Sequence, residues 1–334
     1  VTSRTREWAD SPATDPEPID PALADLGALY ARHAPDLQRG DHLPLLLGAA
    51  RGHLQLAQVR AAREPLIRVR DSQEGADAGS VVEIVTDDMP FLVESLLAAV
   101  ARVGVETERV IHPIVVVRRD STGELEEVLT EADPAAPPAD ALVESWIHLD
   151  LMPTEVDRAD LEEALARVLR DVREVVEDAD PMVERARQLA DELPRRSAVP
   201  DGTDPADVAE LLRWLADAHF TFLGYQHYTV SGDDLHAEPE SGLGVLRKGS
   251  TIAGKFAPKV EKAEGQDELL VMTRASAPSP LRPVHPYYLA IRSFDADGGL
   301  VGEHRFLGLL TVTALYESVL DIPVVERRVR DAIH

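Results

Sequence analysis

The sequence predicts an α+β chain in which a βαββα unit is followed by a second, sheet-rich module and preceded by two helices. Between residues 81 and 177, strand-like apolar runs alternate with stretches of helical period. From His219 onward the pattern is mainly short strands separated by turn residues. An apolar content of 44% over 334 residues is enough to form cores, and the length suits roughly two domains.

Residues 1–20 contain three prolines among Asp, Glu, Ser and Thr and show no hydrophobic period, so they read as a disordered tail. Residues 21–65 read as two lead-in helices. The first carries Leu23, Leu26, Leu29 and Tyr30, and the second runs from Asp41 through Leu45, Leu46, Ala49, Leu54 and Val59. Leu66–Arg70 alternates as a short strand. Val81–Val85 is a strand running into Asp87-Asp-Met-Pro90, where an Asp cap and a first-turn Pro announce a helix. Leu92, Leu96, Ala99, Val100 and Val103 form its stripe, and Gly104 ends it. Val110–Val117 reads as one strand. Ser145–Leu151 alternates, with Ile147, Leu149 and Leu151 on one face and Trp146, His148 and Asp150 on the other, which predicts a half-buried strand. A helix opens at Asp157, and another spans Met182–Leu193 within a helix-and-linker segment, 181–203. Asp204 and Pro205 then open a further helix at the head of the sheet-rich module, 204–334.

Charge and composition exclude several functions. With 34 Lys and Arg against 60 Asp and Glu, the net charge of −26 repels phosphate backbones, so nucleic acid is not an expected partner. The absence of cysteine excludes disulfides, thiolate zinc sites and a cysteine nucleophile. No run approaches the roughly 20 apolar residues of a membrane span, and no secretory signal pattern opens the chain, so a cytoplasmic location is expected. The arginine-rich run Val324–Asp331 near the end suggests a piece of something longer.

The motifs that promise chemistry mostly fail on context. Gly249-Ser-Thr-Ile-Ala-Gly254-Lys255 imitates a phosphate-cradling loop, but Phe256 stands where a hydroxyl should reach magnesium, which argues against a nucleotide enzyme. Asp295–Gly299 imitates a calcium loop, with Phe306 at the position of the bidentate Glu, so a hairpin turn is expected. The 11 histidines form no three-ligand metal set of usual spacing. Gly242-Leu-Gly244 precedes a strand rather than a helix and does not suit a dinucleotide. What is left is the junction Val85-Thr-Asp-Asp-Met-Pro-Phe91, where a helix start offers backbone N–H groups to an anion. Its plainer reading is a helix start capped by its own aspartates.

Four strings in register resemble the N-terminal region of the large NAD-specific glutamate dehydrogenases of bacteria. They are Asp87-Asp-Met-Pro-Phe-Leu-Val-Glu-Ser95, Val110-Ile-His112-Pro113, His219-Phe220-Thr-Phe222-Leu-Gly224-Tyr225, and Gly302-Glu303-His304-Arg305-Phe306-Leu-Gly308. The resemblance implies a ferredoxin-like, ACT-like domain over 66–180 and a PAS-type domain over 204–334. A fourth ACT strand is missing after the second helix, and Leu66–Arg70 is a candidate for its place. The resemblance also implies a regulatory and assembly role, with no catalytic residue and no cofactor or metal in this portion and NAD in the full-length enzyme. The implied partners are the chain's own downstream catalytic domain, further copies in a homo-oligomer such as a tetramer, and a small-molecule effector such as an amino acid. ACT units carry Asp-x-Pro-Gly after their first strand. Asp87, Asp88, Met89, Pro90 and Phe91 are therefore the candidate effector site, with Phe91 in place of the glycine that lets a ligand lie close. A stand-alone ACT-type amino-acid sensor is the alternative.

Overall fold

A computed structural model describes residues 20–34, 43–72, 79–195, 199, 203–231, 234–250, 252–256, 268–316 and 323. The expected tail up to residue 19 and the arginine-rich run 324–331 lie outside these residues. By the density of internal contacts the chain divides into two compact units, one of 1–66, 83–86 and 111–148, the other of 67–82, 87–110 and 149–334.

Helices α1 (Pro21–Arg32) and α2 (Leu43–Leu56) lead into β1 (Leu66–Asp71), β2 (Ser80–Asp87), α3 (Leu92–Arg102), β3 (Thr107–Ile111), β4 (Ile114–Arg119), β5 (Leu125–Val128) and β6 (Leu142–Leu151). The first sheet runs β1-β2-β6-β4-β5, with β3 also paired to β6. Among the described residues no strand after the second helix of the βαββα unit joins this sheet; β1 lies beside β2 at its edge instead. The single strand expected over Val110–Val117 is two strands separated by His112-Pro113. Proline has no N–H to give a ladder, but its carbonyl still accepts from Trp146 N at 3.1 Å.

The two N-terminal helices do more than lead in. Leu23, Leu26, Tyr30, Leu46 and Ala50 share a core with Val85, Ile111, Val115, Val117 and Trp146 of the sheet. For this reason β6 is not half-buried: Trp146 is 0% and His148 4% exposed. His53 on α2 is buried with both ring nitrogens engaged, Nε2 3.1 Å from Ile147 O and Nδ1 2.6 Å from Tyr30 Oη. A carbonyl can only accept, so Nε2 carries the proton and Nδ1 accepts from the tyrosine. Burial pushes the Tyr30 phenol well above its ordinary value, which keeps that donor in place.

In the second unit, α4 (Arg158–Glu177) is capped by Asp157, whose Oδ1 accepts from Ala159 N at 2.7 Å. It is followed by α5 (Ala179–Glu192) and α6 (Pro205–Trp214), and α6 is capped by Asp204 through Ala206 N at 2.9 Å. The remaining elements are β7 (Phe220–Ser231), β8 (Asp234–Ala237), β9 (Leu243–Gly244), the single turn α7 (Ala253–Phe256), β10 (Leu270–Arg274), β11 (Tyr287–Phe294), β12 (Leu300–Leu310) and α8 (Val312–Tyr316). The second sheet runs β10-β11-β12-β7-β8, antiparallel throughout, with β9 on β7. One face is apolar: Phe222, Tyr225, Leu289, Ile291 and Phe306 share a core with Met182, Ala186 and Leu189 of α5 and Val208, Leu211 and Leu212 of α6. Thus α5, which the sequence sets in a linker segment, is part of the cover of this sheet. The Gly249–Lys255 string ends in the single turn α7, too short for the helix of a phosphate loop, and the strand before it, β9, spans only Leu243–Gly244.

Candidate functional site

The junction at 85–91 is built differently from its expectation. Helix α3 starts at Leu92, and its N-cap position is held by Phe91, which has no side-chain oxygen to offer. Asp87 closes β2 and pairs with Arg173 Nη2 of α4 at 2.9 Å. Asp88 and Pro90 are exposed, while Met89 and Phe91 are half-buried. Phe91 has φ 70° and ψ −2°, the left-handed region. This is the position at which the ACT string carries glycine, the residue that enters this region without steric cost. A Cβ in that region costs about 1–2 kcal/mol. Phe91→Ala and Phe91→Gly lose the same ring, so the glycine variant is expected to be the more stable by about 1 kcal/mol in urea unfolding. Equal stabilities would contradict the left-handed backbone.

The motif residues of the second sheet separate onto its two faces. Register places Glu303 opposite Tyr228 and Arg292, and Arg305 opposite Gln226 and Ala290. Glu303, 2% exposed, lies between Arg292 Nε at 3.3 Å and the Arg305 guanidinium. Arg305 Cζ lies 4.3 Å from the centre of the Tyr228 ring and 5.1 Å from that of Tyr288, so aromatic faces surround a guanidinium whose Nη1 has no hydrogen-bond partner among the described residues. On the other face, Phe220, Phe222 and Phe306 stack edge to face, with centroids 5.1 and 5.5 Å apart. Gly224 faces Leu307 and Gly244, and Gly302 faces Thr229. In the first sheet His112 lies 2.8 Å from Ser145 Oγ.

Tyr225 opens onto a cavity of about 450 Å³ between α5 and β7, and its hydroxyl meets the buried ring of His304. Arg185 Nε donates to Tyr225 Oη at 3.0 Å, and the same hydroxyl lies 2.8 Å from His304 Nδ1. Burial holds the Tyr225 phenol above its ordinary value, although Arg185 pulls the other way. His227 stacks on His304 with centroids 4.3 Å apart, and its Nδ1 lies 2.9 Å from Glu238 Oε2. Sequence reasoning missed Arg185, Glu184 and Glu238, because charges on the polar side of an amphipathic helix or in a turn resemble solvated surface.

A second polar seam ties the helices of the βαββα unit to the second sheet. Asp178, between α4 and α5, accepts from Gly244 N of β9 at 2.7 Å. Arg247 reaches Glu174 at 3.6 Å, Glu177 at 3.3 Å and Asp178 at 3.7 Å. On α3, Ser95 Oγ donates to Leu281 O at 3.3 Å, Arg102 Nη2 to Pro280 O at 2.9 Å, and Glu94 accepts from Arg282 Nε at 2.6 Å. Among the described residues there is no group of three or more His, Cys, Asp or Glu that could hold a metal, and no helix long and apolar enough to cross a membrane.

The family model for the ACT1 domain of glutamate dehydrogenase matches residues 26–171, from α1 to the last turns of α4. The NAD-specific glutamate dehydrogenase of Mycobacterium tuberculosis is 35% identical over 295 residues, which is 87% of this chain and 17% of the relative. The enzymes of the same name from Pseudomonas aeruginosa and Halomonas elongata are 32% and 30% identical over 76% and 75% of the chain, each match covering 16% of the relative. The chain thus spans about a sixth of the length of the curated relatives it matches. A solved RNA-binding light-oxygen-voltage receptor aligns over 92% of the chain and 90% of its own, but at 11% identity and a TM-score of 0.17, too low to indicate a common fold. The matched ACT1 region and three relatives of one name place the chain in the NAD-specific glutamate dehydrogenase family.

Proposed function

We propose that this chain is the N-terminal regulatory and assembly portion of a large NAD-dependent glutamate dehydrogenase. The whole enzyme would oxidatively deaminate L-glutamate to 2-oxoglutarate and ammonia with NAD, on a catalytic domain that lies downstream. In this reading the first sheet with α3 and α4 is the ACT-like module and the second sheet is the PAS-type module. Neither carries a reactive centre. The partners are the downstream catalytic domain and further copies of the enzyme, in a cytoplasmic homo-oligomer for which a tetramer is the working assembly. The junction at Asp87–Phe91 serves as a structural turn rather than an effector pocket, since Asp87 is held by Arg173.

The observation that supports this reading best is the seam. Arg247 against Glu174, Glu177 and Asp178, together with Arg102 on Pro280 O, links the ACT-like helices to the connections of the second sheet, and Asp178 reaches strand β9 itself at Gly244 N. A displacement of α3 or α4 is therefore felt by the sheet, which is the physical requirement for passing a signal between sites. The relatives that match over about a sixth of their length add the room for a separate catalytic domain. The experiment is glutamate-dependent NADH formation by the chain alone, and by the full-length enzyme with and without this region.

A further inference from the structure

The cavity between α5 and β7 holds chemistry that the reading above leaves unused. Arg185 enters from α5 with Nε held by Tyr225 Oη at 3.0 Å, and its Nη1 lies 3.3 Å from Gln188 Oε1 and 3.7 Å from Glu192 Oε1. Its Nη2 makes no hydrogen bond among the described residues. Two carboxylates line the same cavity. Glu184 accepts from Gln188 Nε2 at 3.0 Å through Oε1, and Glu238 meets His227 through Oε2, so each keeps an oxygen without a hydrogen bond among the described residues. The Tyr225 hydroxyl, itself committed to His304, fixes the guanidinium before anything binds, which lowers the ordering cost of a ligand.

One guanidinium, with Glu192 beside its Nη1 and two further carboxylates in the cavity wall, does not suit a simple anion, which the acids would repel, nor a simple amine, which would leave Arg185 Nη2 unused. A molecule carrying both charges a few bonds apart uses all three groups. We propose that this cavity binds a free α-amino acid, its carboxylate on Arg185 and its ammonium on Glu184 and Glu238. The surplus carboxylate favours neutral or basic side chains over acidic ones. At about 450 Å³ the space falls within the usual range of about 300–1,000 Å³ for small-molecule sites. The side chains of Arg185 and Glu238 are 28% and 49% exposed, so the affinity is expected in the range of about 0.1–1 mM.

The inference concerns this chain alone and does not depend on a catalytic partner. It is tested by titrating the chain, by calorimetry or by NMR shifts, with L-alanine, L-lysine, L-glutamate, propionate and ethylamine. L-Alanine and L-lysine are expected to saturate, L-glutamate to bind at least about fivefold more weakly, and propionate and ethylamine, each carrying half of the zwitterion, to fail. Glu238→Gln and Arg185→Gln are each expected to weaken L-alanine at least about tenfold. Glu238→Gln, at a half-exposed position, should leave the melting temperature unchanged, which separates lost binding from lost folding. No saturation by L-alanine at tens of millimolar, equal binding of propionate, or unchanged affinity in both variants would overturn the proposal.

Discussion

Glu144→Ala is expected to destabilise the chain by about 3–5 kcal/mol, the cost of leaving a buried ion pair without one partner. The Glu144 side chain is 0% exposed and lies between two guanidiniums that are also buried, Arg60 at 1% and Arg119 at 3% exposure. Oε1 meets Arg60 Nε at 2.9 Å and Arg119 Nε at 2.7 Å, and Oε2 meets Arg119 Nη2 at 3.0 Å and Trp146 Nε1 at 2.9 Å. Without the carboxylate, two cations face each other in the interior and the indole N–H loses its acceptor. Replacing Arg60, Glu144 and Arg119 together by apolar residues is expected to recover most of the loss, since the cluster's own desolvation cost also disappears. Urea midpoints of the single and triple variants measure the difference, and a single variant within about 1 kcal/mol of wild type would contradict the buried cluster. The same group sets an acid limit. Burial alone would raise the Glu144 carboxyl, but the hydrogen bond from Arg119, the charge of Arg60 and the Trp146 N–H outweigh it and hold the group below its ordinary value of 4.5. A depressed folded value gives stability that is fully present above the unfolded value and lost as pH falls through the folded one. Wild type should therefore lose stability below about pH 4.5 more steeply than Glu144→Ala.

Gly308→Ala is expected to cost about 3 kcal/mol, at the upper end of overpacking changes. The register of β12 against β7 shifts between Leu307 and Gly308, and the bulge brings the two backbones close. A Cβ at Gly308 would sit 2.2 Å from Phe220 Cε1 and 2.5 Å from Thr221 O. The ring can turn, but the carbonyl belongs to the ladder and cannot. Gly48→Ala, in the exposed middle of α2 with nothing within 4 Å, is the control and should instead gain about 1 kcal/mol. Thermal unfolding of both variants checks the contrast, and a Gly308→Ala protein as stable as wild type would contradict the bulge. The other glycines of the strings 219–225 and 302–308 are also crowded: a Cβ at Gly302 would sit 2.9 Å from Tyr228 O, and one at Gly224 2.8 Å from the Leu246 side chain.

Much of the fold was legible because local signals agreed with tertiary needs. Asp157, and Asp204 with Pro205, cap the helices they announce, and the apolar stripe of α3 fits its burial, with Leu92, Leu96, Ala99 and Val100 inside. The sequence failed where a distant partner decides. Asp87 looks like a cap but is claimed by Arg173, eighty-six positions away, so the helix begins later and Phe91 takes the left-handed turn. Trp146 and His148 alternate with Ile147 and Leu149 as an exposed face would, yet α1 and α2 cover the Trp146 side. Composition gives no hint that Glu144 and Glu303 are buried, because only tertiary packing brings Arg60 and Arg119 to the first, and strand register brings Arg292 to the second. The candidate site divides in the same way: Tyr225 and His304 were visible in motifs, but Arg185 and Glu238 join them only through the packing of α5 on β7 and a turn after β8.

The central claim is that this region governs a glutamate dehydrogenase without performing its chemistry. The most direct measurement is NADH formation from L-glutamate and NAD, with the purified chain compared against the full-length enzyme and a form lacking residues 1–334. The account predicts no turnover by the chain alone. It predicts turnover by the shortened enzyme with an altered glutamate saturation curve or altered assembly. Glutamate-dependent NADH formation by the isolated chain, or a shortened enzyme indistinguishable from the full-length one in both respects, would contradict it.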